Sequence, residues 1–178
     1  MTEKRLIIFT DSGDTIIDEG SEIRKVPGGV VYSADCIPGA KETMLTLYEE
    51  GYTIALVADG LDESFQNVMK QNGLDHIYKA RAISELSKAE KPDRKMFDEA
   101  MKQLGLTDQD KDRIIMVGNN IKRDVVGANR FGITSVLLKW SPRYPMTPEN
   151  EEEVPDYTIE TPSELISLVE KLNYDVSH

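Results

Sequence analysis

Four places in the sequence hold residue types that handle a phosphoryl group or a hard cation. Asp11 stands in FTDSGDTIID, followed by Gly13 and Asp14; Ala58, Asp59 and Gly60 close LVADG. Lys91 lies in EKPDRKMF, and Asn119 and Asp124 lie in VGNNIKRD. A carboxylate can attack phosphorus or ligate a cation, an ammonium balances negative charge, and an amide oxygen is a further neutral donor. Singly, each has a plain explanation. An Asp after an apolar run makes a turn, a Lys before Pro precedes a helix, and an acid in a first helical turn is favoured by the dipole. Their shared position, just past buried strands or just before the helix that comes next, argues for one site.

The elements that must position them alternate between short apolar runs and amphipathic stretches. Strands are expected at 6–9, 53–57, 77–83 (near a sheet edge), 113–118, 133–138 and 156–159. Helices are expected at 38–51, 62–73, 92–105, 123–132 and 163–172. The first helix should turn Met44, Leu45, Leu47 and Tyr48 to the core. The third has proline first and glycine last, and the last is capped by Ser163. This alternation predicts one α/β domain over 1–178, a mostly parallel sheet covered on both faces. Two stretches break the rhythm. Residues 18–36 carry Pro27-Gly28-Gly29 between β-prone residues and read as a β-hairpin flap. Residues 139–155 carry four prolines and the run Glu151–Glu153 and read as an exposed loop whose acids are solvated.

Composition narrows the partners. The chain has 178 residues and a formal net charge of -11. That argues against nucleic acid and against an anionic membrane, since tracking many phosphates needs a basic face. One small phosphorylated ligand needs only a few well-placed groups. Cys36 is the single cysteine, so neither an intrachain disulfide nor a cysteine-built zinc site can form. The apolar run after Lys4 and Arg5 is too short for a signal peptide or a membrane span, and the expected location is the cytoplasm.

With these motifs in hand, the chain resembles the haloacid dehalogenase superfamily over about residues 4–172. The resemblance is sharpest in DSGDT at 11–15, KPDRKMF at 91–97 and VGNNIKRDVVGA at 117–128. It implies a Rossmann-like three-layer α/β/α fold and two-step phosphoryl transfer from a small phosphorylated substrate or a phosphoprotein. The family's nucleophile matches Asp11, which would form an aspartyl phosphate. Its magnesium would be held by Asp11, the main-chain carbonyl of Gly13, Asn119 and Asp124. Its lysine matches Lys91. Its phosphate-binding second motif falls on Ala58, with the N–H groups of Asp59 and Gly60 at the entry to the next helix.

The chain departs from the family pattern at three positions. The usual second Asp, the general acid and base, is Gly13; Asp14 is the nearest replacement, and an Asp installed at 13 is expected to raise turnover of alkyl phosphates. The usual Ser or Thr of the second motif is Ala58, and the first Asp of the fourth motif is Asn119. No stretch is long enough for a full cap domain, so the flap or a second copy of the chain in a homo-oligomer would have to shield the site. The leading expectation is a magnesium-dependent phosphohydrolase. The alternatives are a weakly active or inactive relative that binds a phosphorylated ligand or protein, and carbon–halogen hydrolysis by the same nucleophile.

Overall fold

The structure, a computed structural model, describes residues 3–178. Six strands form a parallel sheet: β1 (Ile7–Thr10), β4 (Thr53–Ala58), β5 (Tyr78–Ile83), β6 (Ile114–Gly118), β7 (Thr134–Leu138) and β8 (Tyr157–Ile159). Their spatial order is β5-β4-β1-β6-β7-β8. The chain winds outward from β1 to β5, then returns to β6 on the other side of β1. The topology therefore switches between β1 and β6, where the crevice beyond the strand ends is open to a ligand. Register sets the ends level: Thr10 pairs with Leu56 of β4 and with Val117 of β6.

Period-two alternation divides the strands between two cores. Leu6, Ile8, Ile54 and Leu56 face Met44 and Leu47 of α1 (Ala40–Glu49), Val68 of α2 (Asp62–Gln71) and Val169 of α6 (Glu164–Ser177). Ile7, Phe9, Ala55 and Val57 face Met96 and Phe97 of α4 (Arg94–Leu104) and Phe131 of α5 (Val126–Phe131). Each fully buried large side chain contributes about 1.5–3 kcal/mol. The three-layer Rossmann-like expectation holds, and β5 is an edge strand as its sequence suggests.

The flap is a hairpin of β2 (Ile23–Arg24) and β3 (Val31–Ser33), paired antiparallel. It is shorter than its sequence suggests, because a 3₁₀ turn at Glu19–Ser21, capped by the Asp18 carboxylate, takes up its first residues. A one-turn helix, α3 (Ser84–Ser87), comes after β5.

Several local expectations are corrected. Tyr48 is exposed and meets His76 edge-on instead of entering the core. The helix expected from Pro92 begins at Arg94, because the Asp93 carboxylate caps it by accepting from Lys95 N–H at 2.9 Å. Ser163 makes no side-chain cap; the Glu164 carboxylate instead accepts from Glu160 N–H at 2.7 Å. The helix expected at 123–132 is split into a wide π turn at Ile121–Val125 and then α5. In the acidic run, Glu153 is buried and accepts from Lys122 Nζ at 2.7 Å and Glu149 N–H at 2.7 Å, so it is a structural anchor and not a solvated charge. Among the described residues no helix is long and apolar enough to cross a membrane.

Candidate active site

Asp11 comes directly after β1, and its N–H still donates to Val117 of the neighbouring strand at 2.9 Å. That last ladder bond fixes the backbone from which its side chain departs. Lys91, only 3% exposed, reaches the same point from the loop before α4. Its ammonium donates to Asp11 Oδ1 at 3.1 Å, Asp124 Oδ1 at 2.7 Å and the Val57 carbonyl at 2.7 Å. All three donor positions are therefore satisfied, as burial of an ammonium requires. The Lys91 backbone N–H is anchored by Asp59 Oδ1 at 2.9 Å.

The wide turn after β6 brings in the other two residues. Asp124 is buried, and its Oδ2 accepts from Asn120 N–H at 3.0 Å. Gly118 permits this approach: a Cβ there would lie 2.1 Å from Asp124 Oδ2. The hydrogen-bonding pattern orients the Asn119 amide nitrogen toward Asp11 Oδ2 and the Gly13 carbonyl, 3.2 Å from each. Asp11, Gly13, Lys91, Asn119 and Asp124 thus meet in one constellation.

The charge states are set by this packing. Burial works against the Lys91 ammonium, but the Asp11, Asp124 and Asp59 carboxylates outweigh it and raise its pKa. Burial pushes the Asp124 carboxyl up, and Lys91 pulls it only part of the way back.

The constellation opens into a cavity of about 250 Å³. Its outer wall includes Glu19, Glu22 and Arg24 of the flap, Arg123 of the wide turn and Tyr144. Glu19 carries the most perturbed acid of this wall. Burial, reinforced by the Asp14 carboxylate and opposed by Arg143, pushes it up to about 7.

The phosphate-binding positions fare unevenly. Ala58 is packed in the core and does not line the cavity. Gly60 lines it, but its N–H already donates to Ser84 Oγ at 2.7 Å, so the expectation of a free amide there is corrected. Asp59 lines it too, and its Oδ2 holds Arg123 at 3.1 Å. Asp14 does not stand in for a catalytic acid. It is fully buried, its Oδ1 accepts from Glu19 N–H at 2.9 Å, and its Oδ2 accepts from Arg143 Nε at 2.6 Å. Glu19, Arg123, Arg143 and Tyr144 were not legible as site residues. Arg143 and Tyr144 sit in the proline-rich loop that reads as plain surface, and Glu19 in the first turn of the flap.

Among the described residues no cluster of three or more His, Cys, Asp or Glu side chains is placed to hold a metal. The donors that do converge are the carboxylates of Asp11 and Asp124, the Gly13 carbonyl and, after an amide rotation, the Asn119 oxygen. An all-oxygen set of this size, leaving room for retained waters, fits magnesium better than zinc.

A profile of the haloacid dehalogenase-like hydrolases matches residues 23–138, a span that includes Lys91, Asn119 and Asp124 but not Asp11 or Gly13. A glyceraldehyde 3-phosphate phosphatase from Methanopyrus kandleri is 32% identical over 78% of the chain and 58% of its own length. A pyrophosphatase from Halalkalibacterium halodurans is 27% identical over 74% of the chain and 58% of its own length. The chain thus spans a little over half the length of these relatives. The crystal structure of a phosphatase from Thermococcus onnurineus superposes with a TM-score of 0.73 at 18% identity, covering 92% of this chain and 97% of that one.

Proposed function

The chain belongs to the haloacid dehalogenase-like hydrolases, and from that premise we propose that it is a magnesium-dependent phosphohydrolase working through an aspartyl phosphate on Asp11. The observation that carries this reading is the clamp on Asp11. One carboxylate oxygen lies 3.1 Å from Lys91 Nζ, and the other faces the side-chain amide of Asn119. A carboxylate held from both sides at a cavity floor is oriented before the substrate arrives, which is how positioning lowers a barrier.

In the proposed sequence an Asp11 oxygen bonds to phosphorus as the bond to the leaving oxygen breaks. Water then cleaves the acyl phosphate, returning Asp11 and inorganic phosphate. Lys91 balances the charge that moves onto the phosphoryl oxygens. Magnesium, held by Asp11, the Gly13 carbonyl, Asn119 and Asp124, would add positive charge against those same oxygens. Arg123 supplies cationic character at the cavity wall, a role the buried Ala58 and the engaged Gly60 amide do not fill. The activities for which the relatives are named point to a small phosphorylated substrate, and a cavity of about 250 Å³ suits one.

The competing reading, a relative that binds a phosphorylated ligand without turnover, is favoured by Gly13 in place of an acid and by the weak second motif. One experiment separates them: a screen of phosphate esters and acyl phosphates with magnesium and with chelator, using wild type and Asp11→Asn. Magnesium-dependent turnover that Asp11→Asn abolishes supports the hydrolase. Equal activity in Asp11→Asn overturns it, and phosphate binding without any turnover puts the binding reading in its place.

A further inference from the structure

The position where this family keeps its second aspartate is Gly13, which has no side chain, yet the space beside it is filled. A Cβ built on Gly13 would lie 2.0 Å from Glu19 Oε1, 2.7 Å from its Cδ and 2.8 Å from its Cγ. The Glu19 carboxyl therefore occupies the volume into which a side chain at 13 would extend. Gly13, Glu19 and Asp11 line the same cavity.

The carboxyl is held there by three separate restraints. The Asp18 cap fixes the 3₁₀ turn from which Glu19 projects, accepting from Gly20 N–H at 2.8 Å. The buried Asp14 accepts from Glu19 N–H at 2.9 Å. Arg143 Nε, itself 2.6 Å from Asp14 Oδ2, sits 3.1 Å from Glu19 Oε2, leaving Oε1 as the oxygen turned toward Gly13. Gly13 and Glu19 are complementary in this respect, since any side chain at 13 would displace the Glu19 carboxyl.

We infer that Glu19, delivered from the flap, is the general acid and base of this site, replacing in space the side chain that Gly13 lacks. The inference rests on the phosphohydrolase reading above. In the first half-reaction Asp11 bonds to phosphorus, the bond to the leaving oxygen breaks, and that oxygen takes the proton of the Glu19 carboxyl. In the second, the Glu19 carboxylate takes a proton from water as the water oxygen bonds to phosphorus and the bond to Asp11 breaks. The products are the alcohol, inorganic phosphate and the starting protonation state of both carboxyls.

The test compares wild type, Glu19→Gln and Asp11→Asn with magnesium on glycerol phosphate and on nitrophenyl phosphate. Product is followed by rapid quench, and covalent phosphate by intact-protein mass. An alkoxide needs a proton as it leaves and nitrophenolate does not, so Glu19→Gln should lower glycerol phosphate turnover by ~10²–10⁴-fold with no burst. On nitrophenyl phosphate it should release about one equivalent of nitrophenol in a burst, then slow, with one phosphoryl group trapped on the protein. Wild-type rates on glycerol phosphate overturn the inference. So does an equal loss on both substrates without a burst or trapped phosphate, the pattern of a metal-binding or structural role. Wild type and Asp11→Asn alone read the phosphohydrolase assignment, so its failure is distinct: no turnover of either substrate by wild type overturns both.

Discussion

Installing an aspartate at position 13 looks from the sequence like a repair, and the structure reverses that expectation. Real Cβ atoms stay at least 3.0 Å from non-bonded neighbours, and here the gap to Glu19 Oε1 is 2.0 Å. The atom in the way is the far end of a flexible side chain, so Glu19 can swing out and the backbone need not move. Swinging out gives up its contact with Arg143 at 3.1 Å. It also sets one new carboxylate, that of the introduced aspartate, beside Asp14 and Asp11. Crowding of this kind costs about 1–3 kcal/mol. A like-charge contact in a half-buried setting adds on the order of 1–4 kcal/mol. Gly13→Asp should therefore lose about 2–7 kcal/mol, which for a chain of this length lowers Tm by about 4–28 °C. Alkyl phosphate turnover should fall or stay level, because one carboxyl evicts the other. Glu19→Ala in the same background should relieve the crowding, giving a favourable coupling of about 1–3 kcal/mol. Differential scanning fluorimetry and urea titration on the four proteins of this cycle measure it. If Gly13→Asp shifts Tm by less than about 2 °C, or the two substitutions simply add, then Glu19 does not occupy that volume and the reasoning fails.

The same geometry sets three further outcomes. Lys91→Met leaves the buried Asp124 carboxylate without its cation, so urea titration should show a loss of about 3–5 kcal/mol and no turnover; a loss under about 1 kcal/mol would contradict the clamp. Glu19→Gln should change the pH profile of stability. Burial raises the Glu19 carboxyl from 4.5 to about 7, so the folded state holds its proton more tightly than the unfolded chain. The Glu19 contribution to stability is therefore fully present below about 4.5 and declines as pH rises to about 7. Thermal melts should show the glutamine variant level with wild type at acid pH and ahead by about 1–3 kcal/mol above neutrality; a deficit there would mean that the Arg143 pairing outweighs burial. Gly118→Ala sets a Cβ 2.1 Å from Asp124 Oδ2, so it should displace that carboxylate and erase any rise in Tm that millimolar magnesium gives wild type.

The sequence by itself determined the strands, the helices and the edge at which chemistry gathers. Those depend on periodicity and on the residues just after each buried run, and both are local properties of the chain. Asp11, Lys91, Asn119 and Asp124 were legible because each comes after a strand or before a helix whose place in the sheet the alternation already implies. Irregular segments carry no such period, so their side-chain directions were not legible. Asp14 reads as a spare acid, yet Arg143, 129 positions away, locks it out of the cavity. Gly60 reads as a free amide, yet Ser84, 24 positions on, takes its hydrogen. The proline-rich loop reads as solvated surface, yet it sends Tyr144 to the cavity wall and Arg143 to Glu19. The vacancy at Gly13 is visible in the sequence, whereas the carboxyl that fills it is fixed only by the folded flap. Which atom occupies a given volume depends on packing between segments far apart in the chain, and that packing exists only once the sheet has brought them together.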